Sequence, residues 1–260
     1  MSALPQRTTD TASLAQRVDW LDWAGIASEL DARGHAHVPA LLDAAQCRAL
    51  AAGYDRPDGF RSRVVMARHG FGRGEYRYFA YPLPAAVATL RAAFYLRLVP
   101  IAHRWNEAMG SDVRYPATHA DFIARCHAAG QTRPTPLLLR YDTGDYNCLH
   151  QDLYGEHVFP LQLAVLLSQP QRGPGGDLNK SGLNDGDFSG GEFVLTEQRP
   201  RMQSRAEVVP LQQGDAVVFA VHQRPVQGTR GPYRVQLRHG VSRVRSGRRH
   251  TLGVIFHDAQ

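Results

Sequence analysis

Two histidines, one aspartate and a later arginine are the residues of this chain best suited to metal chemistry. His150 and Asp152 are separated by one residue, and His239 lies 87 residues after Asp152. Two imidazoles and a carboxylate on one face of an ion can hold non-heme Fe(II) and leave positions open for a 2-oxo acid and O2. Arg249, ten residues after His239, would offer a planar fork to the far carboxylate of such an acid.

Other metal assignments are open at this point. Two histidines and a carboxylate also suit hydrolytic zinc, although zinc leaves the downstream arginine without a role. His222 is a rival third ligand, but no carboxylate-binding residue follows it at a matching spacing. His35 and His37 have no carboxylate partner in register and are expected on a strand surface. His250 and His257 flank the last predicted strand, where they are expected to pack or to form hydrogen bonds.

Short strands separated by turns are predicted to position the ligands. An apolar run from residue 137, a turn at Gly144 and a second short strand deliver the His-x-Asp pair, whose side chains point the same way. Residues 161–167 predict a strand buried on both faces. Further β runs are predicted at residues 190–195, 208–210, 216–219, 239–241 and 251–256. Many short strands at this spacing predict a sandwich or a barrel.

The first half of the chain is predicted to be largely helical. The predicted elements there are helices over residues 20–34, 43–51, 84–109 and 112–129 and a short strand over residues 35–42. Asp43 is the predicted N-cap of the second helix. Pro84 opens the third helix, and Pro100 should kink or split it. These helices are expected to pack on one face of the β-rich part.

At this level of detail the sequence resembles known oxygenases. The segment from His239 to Arg249, HGVSRVRSGRR, is similar to the prolyl-hydroxylase pattern H-G-V-x-x-V-x-x-G-x-R. Arg140-Tyr141, a following glycine and the run LHQD that ends at Asp152 resemble the AlkB-type nucleic-acid demethylases, except that Leu139 stands where those proteins have asparagine. Residues 137–258 resemble the core of the Fe(II)/2-oxoglutarate oxygenase superfamily, and the whole chain resembles a bacterial family of that superfamily with proposed nucleic-acid substrates.

The resemblance implies a fold, cofactors and a residue for each role. The implied fold is α+β, with a double-stranded β-helix (jelly-roll) core and N-terminal helices packed on one face. Fe(II) and 2-oxoglutarate are the implied cofactors, and O2 is the second cosubstrate. His150, Asp152 and His239 would be the iron ligands. Arg249 would hold the C5 carboxylate of 2-oxoglutarate, and Tyr141 would contact the same molecule.

Length and composition favour one intracellular domain. The chain has 260 residues, of which 43% are hydrophobic, enough for a single core. The expected division is a disordered leader over residues 1–15 and one oxygenase domain over residues 16–260, mainly helical over 16–132 and jelly-roll over 133–260. Three cysteines without paired spacing argue against a disulfide framework. Without a secretion signal or an apolar run of about 18 residues, a cytoplasmic location away from membranes is expected.

Positive charge is the main clue to the substrate. The formal net charge is +6, and Lys180 is the single lysine among thirty basic residues. From Arg199 to Arg249 there are eleven arginines against two acids, Glu207 and Asp215. Such a cluster suits contacts with nucleic-acid phosphates. A high arginine content can equally result from genome composition or from a role in solubility.

Residues 61–79 interleave arginine with aromatic residues and glycine. Aromatic rings can stack on an unpaired base while arginine holds the backbone, so that this segment is the predicted substrate-recognition loop, with Arg73, Tyr76, Arg77 and Tyr78 as its binding residues. The alternative is a strand whose aromatic residues pack or face solvent. Residues 173–187 are predicted to form a long loop that serves as a mobile lid or is a surface insertion.

Three functions are consistent with these patterns. The first is oxidative demethylation of an alkylated nucleic-acid base, which predicts a basic groove and salt-sensitive binding. The second is hydroxylation of a protein, a peptide or an amino acid, which the prolyl-hydroxylase-like tail favours. The third is a non-catalytic jelly-roll binding module, which would require the metal ligands to lie apart.

Overall fold

Two antiparallel β-sheets and five helices make up the computed structural model, which describes residues 13–171 and 186–260. The helices are α1 (Leu14–Asp19), α2 (Trp23–Arg33), α3 (Ala44–Ala52), α4 (Ala85–Ala108) and α5 (His119–Ala128). The strands are β1 (His35–Val38), β2 (Phe60–Val65), β3 (Gly72–Arg73), β4 (Glu75–Phe79), β5 (Leu137–Asp142), β6 (Tyr146–His150), β7 (Leu161–Leu166), β8 (Phe188–Gly190), β9 (Phe193–Gln198), β10 (Ser204–Val209), β11 (Ala216–Ala220), β12 (Gln223–Gly228), β13 (Gly231–Val241) and β14 (Val244–Val254).

The two sheets have the crossed strand order of a jelly roll. The major sheet runs β1-β11-β7-β14-β5-β4-β2, with β8 paired to β14. The minor sheet runs β10-β9-β13-β6-β3, with β12 paired to β13. Strands that are neighbours in each sheet come from distant parts of the chain, as in β1–β11 and β3–β6. The predicted α+β fold with a jelly-roll core is confirmed.

Alternation along the strands of the major sheet separates two apolar layers. In β7, Leu163 and Val165 pack in the layer that contains the helices, whereas Gln162 and Ala164 line a cavity between the sheets. Successive strand residues point to opposite faces of a sheet, and here both faces are covered. This double burial explains the continuous apolar run that predicted a strand over residues 161–167.

The helices pack against the outer face of the major sheet, as predicted. α4 is continuous from its N-terminal cap Pro84 to Ala108 and includes Pro100. Pro100 and Leu96 are both exposed, so that water can bond the Leu96 carbonyl that loses its helical partner. Of the two predicted effects of Pro100, a kink or a split, the split does not occur.

α4 is also the one helix among the described residues whose length and apolar character would allow it to cross a membrane. Half of its most apolar window is buried within the fold. Arg91 within this helix is buried and forms an ion pair with Asp258 at 2.7 Å. The helix is therefore part of the core.

Several predicted boundaries differ from the structure because tertiary pairing decides them. Residues 1–12 of the predicted leader lie outside the described residues, and Leu14 and Ala15 already belong to α1. The Asp22 side chain accepts a hydrogen bond from the Gly25 amide, so that α2 begins at Trp23 and not at Trp20. The prediction for residues 173–187 falls almost entirely on residues 172–185, outside the described part of the chain.

The expected division at residue 132 does not separate helices from sheets. β4 pairs with β5, with Tyr76 opposite Leu139, and β2 pairs with β4. β1 pairs with β11 at the other edge of the major sheet. These strands lie in the segment expected to be mainly helical, and they extend the major sheet at both edges.

Candidate active site

His150, Asp152 and His239 converge at one end of the space between the sheets. A potential metal-binding atom of each residue lies within 4.8 Å of the others. The Nε2 atoms of His150 and His239 lie 3.6 Å and 3.4 Å from the two carboxylate oxygens of Asp152. β6 and β13 are hydrogen-bonded neighbours in which His150 stands opposite His239. Strand register thus brings together ligands that are 89 residues apart in sequence.

The electrostatics of this cluster suit a bound cation. Burial alone would raise the pKa of Asp152, but its hydrogen bond and charge interaction with His239, together with nearby His150 and Tyr154, hold that pKa well below its ordinary value. Burial and the neighbouring His150 lower the pKa of His239. A charged carboxylate beside a neutral imidazole is the protonation state in which these groups bind metals.

Hydrogen bonds around the cluster fix the orientation of its members. His150 donates from Nδ1 to the Cys148 carbonyl at 2.8 Å, so that Nε2 is the ring nitrogen that faces Asp152. Tyr154 donates its hydroxyl hydrogen to Oδ1 of Asp152 at 2.8 Å. Tyr78 donates in turn to the Tyr154 hydroxyl at 3.2 Å. Such outer contacts set ligand orientation and affinity in metal sites.

Arg249 is a buried guanidinium without a carboxylate partner among the described residues. It is 1% exposed and stands opposite Tyr141 in the β14–β5 pair. Its guanidinium carbon lies 5.6 Å from the centroid of the Tyr141 ring. One terminal nitrogen donates to the Thr251 hydroxyl, and Nε has no hydrogen-bond partner. Burial lowers the pKa of Arg249 to about 10, so that the side chain stays charged at neutral pH.

Two buried oxygen atoms of cavity-lining residues also lack partners. The Tyr141 hydroxyl and Oε1 of Gln162 are buried without a hydrogen bond among the described residues, and both residues line the cavity. Unpaired buried polar groups are costly and mark a missing ligand or solvent molecule. The Arg249 guanidinium and the Tyr141 hydroxyl can donate to a carboxylate and to further oxygen atoms of a bound molecule, whereas Oε1 of Gln162 can only accept, from a donor group or from water.

Glycines allow the backbone to approach the arginine closely. Gly191 has a φ of +62°, and a Cβ there would lie 2.9 Å from Cδ of Arg249 and 3.0 Å from Cγ2 of Val244. Gly247, two residues before Arg249, has a φ of +78° and packs its α-carbon against the Asp187 backbone.

Gly191→Ala is expected to destabilise the fold more than a glycine replacement elsewhere. The added methyl group would push on Arg249 and Val244, in addition to the strain of a positive φ, which together cost about 1–3 kcal/mol. Gly110→Ala is the matched control, because Gly110 has a φ of +67° and open space around its α-carbon. Urea unfolding measures both variants. Equal losses in the free energy of unfolding would show that the contact with Arg249 contributes nothing.

The cavity that contains the cluster and Arg249 has a volume of about 310 Å³. It lies between the sheets, and β5, β7 and β14 on one side and β6, β9 and β13 on the other contribute its lining. Phe71 and Leu149 line its mouth and are 47% and 45% exposed. The Phe71 ring stacks on His69, with 5.3 Å between ring centroids. The mouth is therefore apolar and open to solvent.

The structure brings two of the four predicted substrate-binding residues to this cavity. Tyr76 and Tyr78 line it. Arg77 lies between them on β4, faces the other side of the sheet, and stacks over the Tyr54 ring at 5.0 Å. Arg73 is exposed on β3 opposite Tyr146 and does not line the cavity. Strand alternation explains the separation, since β4 is a paired strand and not a loop.

Sequence reasoning missed other residues of the site. Tyr154 and Gln162 were not predicted, although Tyr154 lies only two residues after Asp152. Phe71 belongs to the segment predicted for recognition but was not selected. Exposure at the cavity mouth, the property that distinguishes Phe71, depends on the fold and leaves no signal in the sequence.

The remaining histidines stay outside the cluster. Nε2 of His37 is hydrogen-bonded to Oδ2 of Asp215 at 2.9 Å, a carboxylate partner that the sequence did not predict. That partner is the residue just before β11, the strand that pairs with β1, and could not be predicted from local spacing. Within the described residues, His222 and His250 take no part in the metal-binding group. His257 accepts a hydrogen bond from the Phe159 amide at 3.3 Å, as expected of a structural residue.

Comparison with known proteins identifies one family that this chain matches. Residues 74–259 match the model of the Oxygenase-NA family, described as "Oxygenase, catalysing oxidative methylation of damaged DNA". The Uncharacterized protein Rv2227 of Mycobacterium tuberculosis (strain ATCC 25618 / H37Rv) is 46% identical over 181 residues, which are 70% of this chain and 72% of that protein.

Two solved structures of similar fold are an oxygenase-family oxidoreductase and a prolyl hydroxylase. A 2OG-Fe(II) oxygenase family oxidoreductase from Burkholderia pseudomallei is 16% identical with a TM-score of 0.51, over 92% of this chain and 94% of that one. A prolyl hydroxylase from Trichoplax adhaerens, in complex with a hypoxia inducible factor peptide, is 13% identical with a TM-score of 0.52, over 95% and 94%. At these identities the likeness shows the fold alone, and it agrees with the predicted jelly roll.

Proposed function

This chain belongs to the Oxygenase-NA family, and we propose that it removes methyl groups oxidatively from alkylated nucleic-acid bases. It is an Fe(II)/2-oxoglutarate oxygenase by family and fold, and the predicted cofactors suit the His-Asp-His cluster. The observation that carries the proposal is a single cavity that holds this cluster, an unpaired buried guanidinium and two aromatic residues of β4.

In this proposal the metal cluster, Arg249 and Tyr141 have separate roles. His150, Asp152 and His239 hold Fe(II), because their arrangement leaves one face of an ion open. Arg249 pairs with the C5 carboxylate of 2-oxoglutarate, and the Tyr141 hydroxyl donates to the same molecule. These contacts satisfy the buried groups that otherwise lack partners. Zinc hydrolysis would leave both groups unsatisfied.

The bound cofactors supply an oxidation in which O2 converts 2-oxoglutarate to succinate and CO2 and inserts one oxygen atom into a substrate C–H bond. When that bond belongs to an N-methyl group, the product is an N-hydroxymethyl group. Its nitrogen keeps the C–N electron pair and gains the hydroxyl proton, so that formaldehyde leaves. The family description names damaged DNA, and this oxidation gives the base without its methyl group.

The aromatic lining favours a flat, apolar substrate group. The Tyr76 and Tyr78 rings are nearly perpendicular, at 85° and 5.3 Å between centroids, and present both an edge and a face. Phe71 at the mouth adds an exposed ring. Aromatic side chains contribute about 1–3 kcal/mol per stacked base. A base that leaves its strand can therefore be held against these rings while its methyl group reaches the metal cluster.

Peptide hydroxylation is the second candidate, because the tail HGVSRVRSGRR is similar to the prolyl-hydroxylase pattern. A peptide would need an extended groove with backbone hydrogen-bonding partners. At the mouth of the cavity, the exposed side chains of Phe71 and Leu149 are apolar instead. We therefore rank the nucleic-acid base first.

Succinate and formaldehyde release test the proposed function. The chain, loaded anaerobically with Fe(II), would receive 2-oxoglutarate, O2 and either methylated single- or double-stranded oligonucleotides or proline- and lysine-rich peptides. We expect both products to rise together with a methylated oligonucleotide and to stay low with its unmethylated match. Succinate stimulated by peptides alone, without formaldehyde, would contradict the nucleic-acid substrate and support the second candidate.

Tyr154→Phe is expected to weaken iron binding about 10- to 100-fold, the usual effect of losing an outer hydrogen bond to a metal ligand. The variant removes the hydroxyl that holds Oδ1 of Asp152 and leaves the ring. Activity measured against Fe(II) concentration should show a raised half-saturation value with a similar plateau. Tyr233→Phe is the control, since Tyr233 is a half-buried residue of β13 outside the cavity. A lowered plateau at unchanged half-saturation would contradict this positioning role.

A further inference from the structure

A second concavity lies on the outer face of the minor sheet, away from the space between the sheets. Its volume is about 310 Å³, and its lining consists of Gln198, Arg199, Pro200, Arg201, Gln223, Arg234 and Gln236. Three arginines and three glutamines thus surround one space, and no acidic residue lines it. We call these seven residues the arginine recess.

Strand register builds the arginine recess. Along β13, Val235 and Leu237 are buried, whereas Arg234 and Gln236 are exposed on the opposite face. Gln236 stands opposite Gln198 of β9 on one side and opposite Gln223 of β12 on the other. Three glutamine side chains therefore form a row across neighbouring strands. The turn after β9 adds two of the arginines at one end of this row.

The charge of the recess is not balanced by the acids around it. Glu197 is the nearest carboxylate, and it is buried against Arg224, whose Nε lies 3.1 Å from Oε2. Arg199 reaches the same carboxylate only at 3.6 Å. Arg201 and Arg234 have no carboxylate partner within the described ranges, and Arg234 donates to the Met109 carbonyl at 2.5 Å. This last contact holds a charged side chain in place beside the recess.

We propose that the arginine recess binds phosphate groups, and that its ligand is the phosphodiester backbone of the strand whose base enters the cavity. The choice of this ligand rests on the proposed function. Guanidinium forks bind phosphate oxygens in pairs, and glutamine amides donate to phosphate and sugar oxygens. The lining contains no aromatic ring on which a base could stack, which favours the backbone over the bases.

The position of the recess relative to the metal cluster sets a length requirement. Arg234 and His239 are five residues apart on β13, a separation of roughly 17 Å at the rise of an extended strand. That span corresponds to roughly five nucleotides at the spacing of a stacked single strand. Because the two places lie on opposite faces of the sheet, this span is a minimum; a dinucleotide is too short for it, whereas a strand of twelve nucleotides, about 41 Å at the same spacing, exceeds it.

Fluorescence anisotropy with a labelled, unmethylated 12-nucleotide single strand tests the recess independently of turnover. Removing two phosphate contacts by Arg201→Gln and Arg234→Gln together is expected to weaken binding about 10- to 100-fold at low salt. The slope of log K against log salt should become shallower by about 1.4, since each contact with single-stranded nucleic acid contributes about 0.7. Gln236→Glu places a carboxylate in the middle of the recess and should weaken binding as well. This single variant keeps the test valid if the double variant fails to fold.

The control for total charge is Arg48→Gln with Arg97→Gln, which removes the same formal charge from exposed positions on α3 and α4; Arg97, unlike the two recess arginines, is paired with Asp19. Equal weakening in the control and the recess variant would overturn the proposal, because only general charge would then matter. Displacement of the 12-mer by equimolar inorganic phosphate, as effectively as by an unlabelled 12-mer, would also overturn it in favour of a small-anion site.

Turnover separates this proposal from the proposed function. With a methylated 12-mer, the recess variant should raise KM and leave kcat unchanged, whereas KM for a methylated dinucleotide should not move. Unchanged KM for both substrates would overturn the recess while demethylation stands. The unaltered chain could also release no formaldehyde while its salt-dependent binding is lost in the recess variant. That result would support the recess and reject demethylation.

Discussion

Asp152→Asn is expected to abolish substrate turnover while the fold remains intact. The amide has the shape of the carboxylate and can still accept the hydrogen bond from Tyr154, but it carries no negative charge. A metal ion contributes several kcal/mol to such a reaction, so that its loss corresponds to a fall in rate of about 10³-fold or more. Asp152 is buried between two histidines, and no described neighbouring carboxylate can replace it.

The variant should also lose the stabilisation that iron gives to the fold. A ligand present at about 100 times its dissociation constant adds about 2.7 kcal/mol to the free energy of unfolding. We expect Fe(II), added under anaerobic conditions, to raise the melting temperature of the unaltered chain and to leave that of Asp152→Asn unchanged. Asp142→Asn is the control, because Asp142 is paired with Arg248 outside the cavity and should behave like the unaltered chain.

Two outcomes would contradict the metal assignment. One is turnover in Asp152→Asn above a tenth of the normal rate. The other is a melting temperature that rises with Fe(II) as much as it does in the unaltered chain. A melting temperature lowered equally with and without iron would instead assign Asp152 to the stability of the fold.

The metal cluster was predictable because its information is local. His150 and Asp152 are two residues apart, and His239 and Arg249 belong to one short pattern. Local spacing fixes which side chains share a face of a strand, and the resemblance fixes how the two halves meet. In the structure, the register of β6 against β13 brings the two halves within metal-binding distance. These parts of the site could be predicted because the residues of each half lie close together in the sequence.

The features that sequence reasoning missed depend on pairing between distant segments. Tyr76 and Arg77 are adjacent in sequence, yet pairing of β4 with β5 sends one into the cavity and the other over Tyr54. His37 meets Asp215 through the β1–β11 pair. The row of glutamines in the arginine recess needs the registers of three strands at once. Composition showed an excess of arginine there, but only the sheet shows that some of it surrounds one concavity.

Arg249→Met is expected to make the fold more stable and to destroy the use of 2-oxoglutarate. In the absence of the cosubstrate, Arg249 is a buried cation without a carboxylate partner among the described residues. Burying an ion without a full partner costs several kcal/mol, and apolar replacement of buried charges often stabilises a protein. We expect the free energy of unfolding to rise by about 1–3 kcal/mol, measured by urea unfolding without 2-oxoglutarate.

The same change should raise the KM for 2-oxoglutarate by at least about 100-fold. Losing one partner of a buried, hydrogen-bonded charge pair costs about 2–5 kcal/mol, and each 1.4 kcal/mol is a factor of ten in affinity. Arg249→Lys should fail similarly, because lysine lacks the planar fork that matches a carboxylate. Arg248→Met is the control, since Arg248 is exposed, faces the other side of β14 and pairs with Asp142 at 2.6 Å.

The opposite signs of the two effects make this variant informative. A residue kept for stability alone would lose stability when replaced, so that a destabilised Arg249→Met would show that the fold, and not the cosubstrate, needs the guanidinium. A stabilised variant with unchanged KM would show that the 2-oxoglutarate carboxylate binds elsewhere. Only a stabilised variant that also fails to gain stability from added 2-oxoglutarate agrees with an arginine whose charge is left unpaired until the cosubstrate binds. The structure favours that result, because Nε of Arg249 and the Tyr141 hydroxyl lack partners side by side.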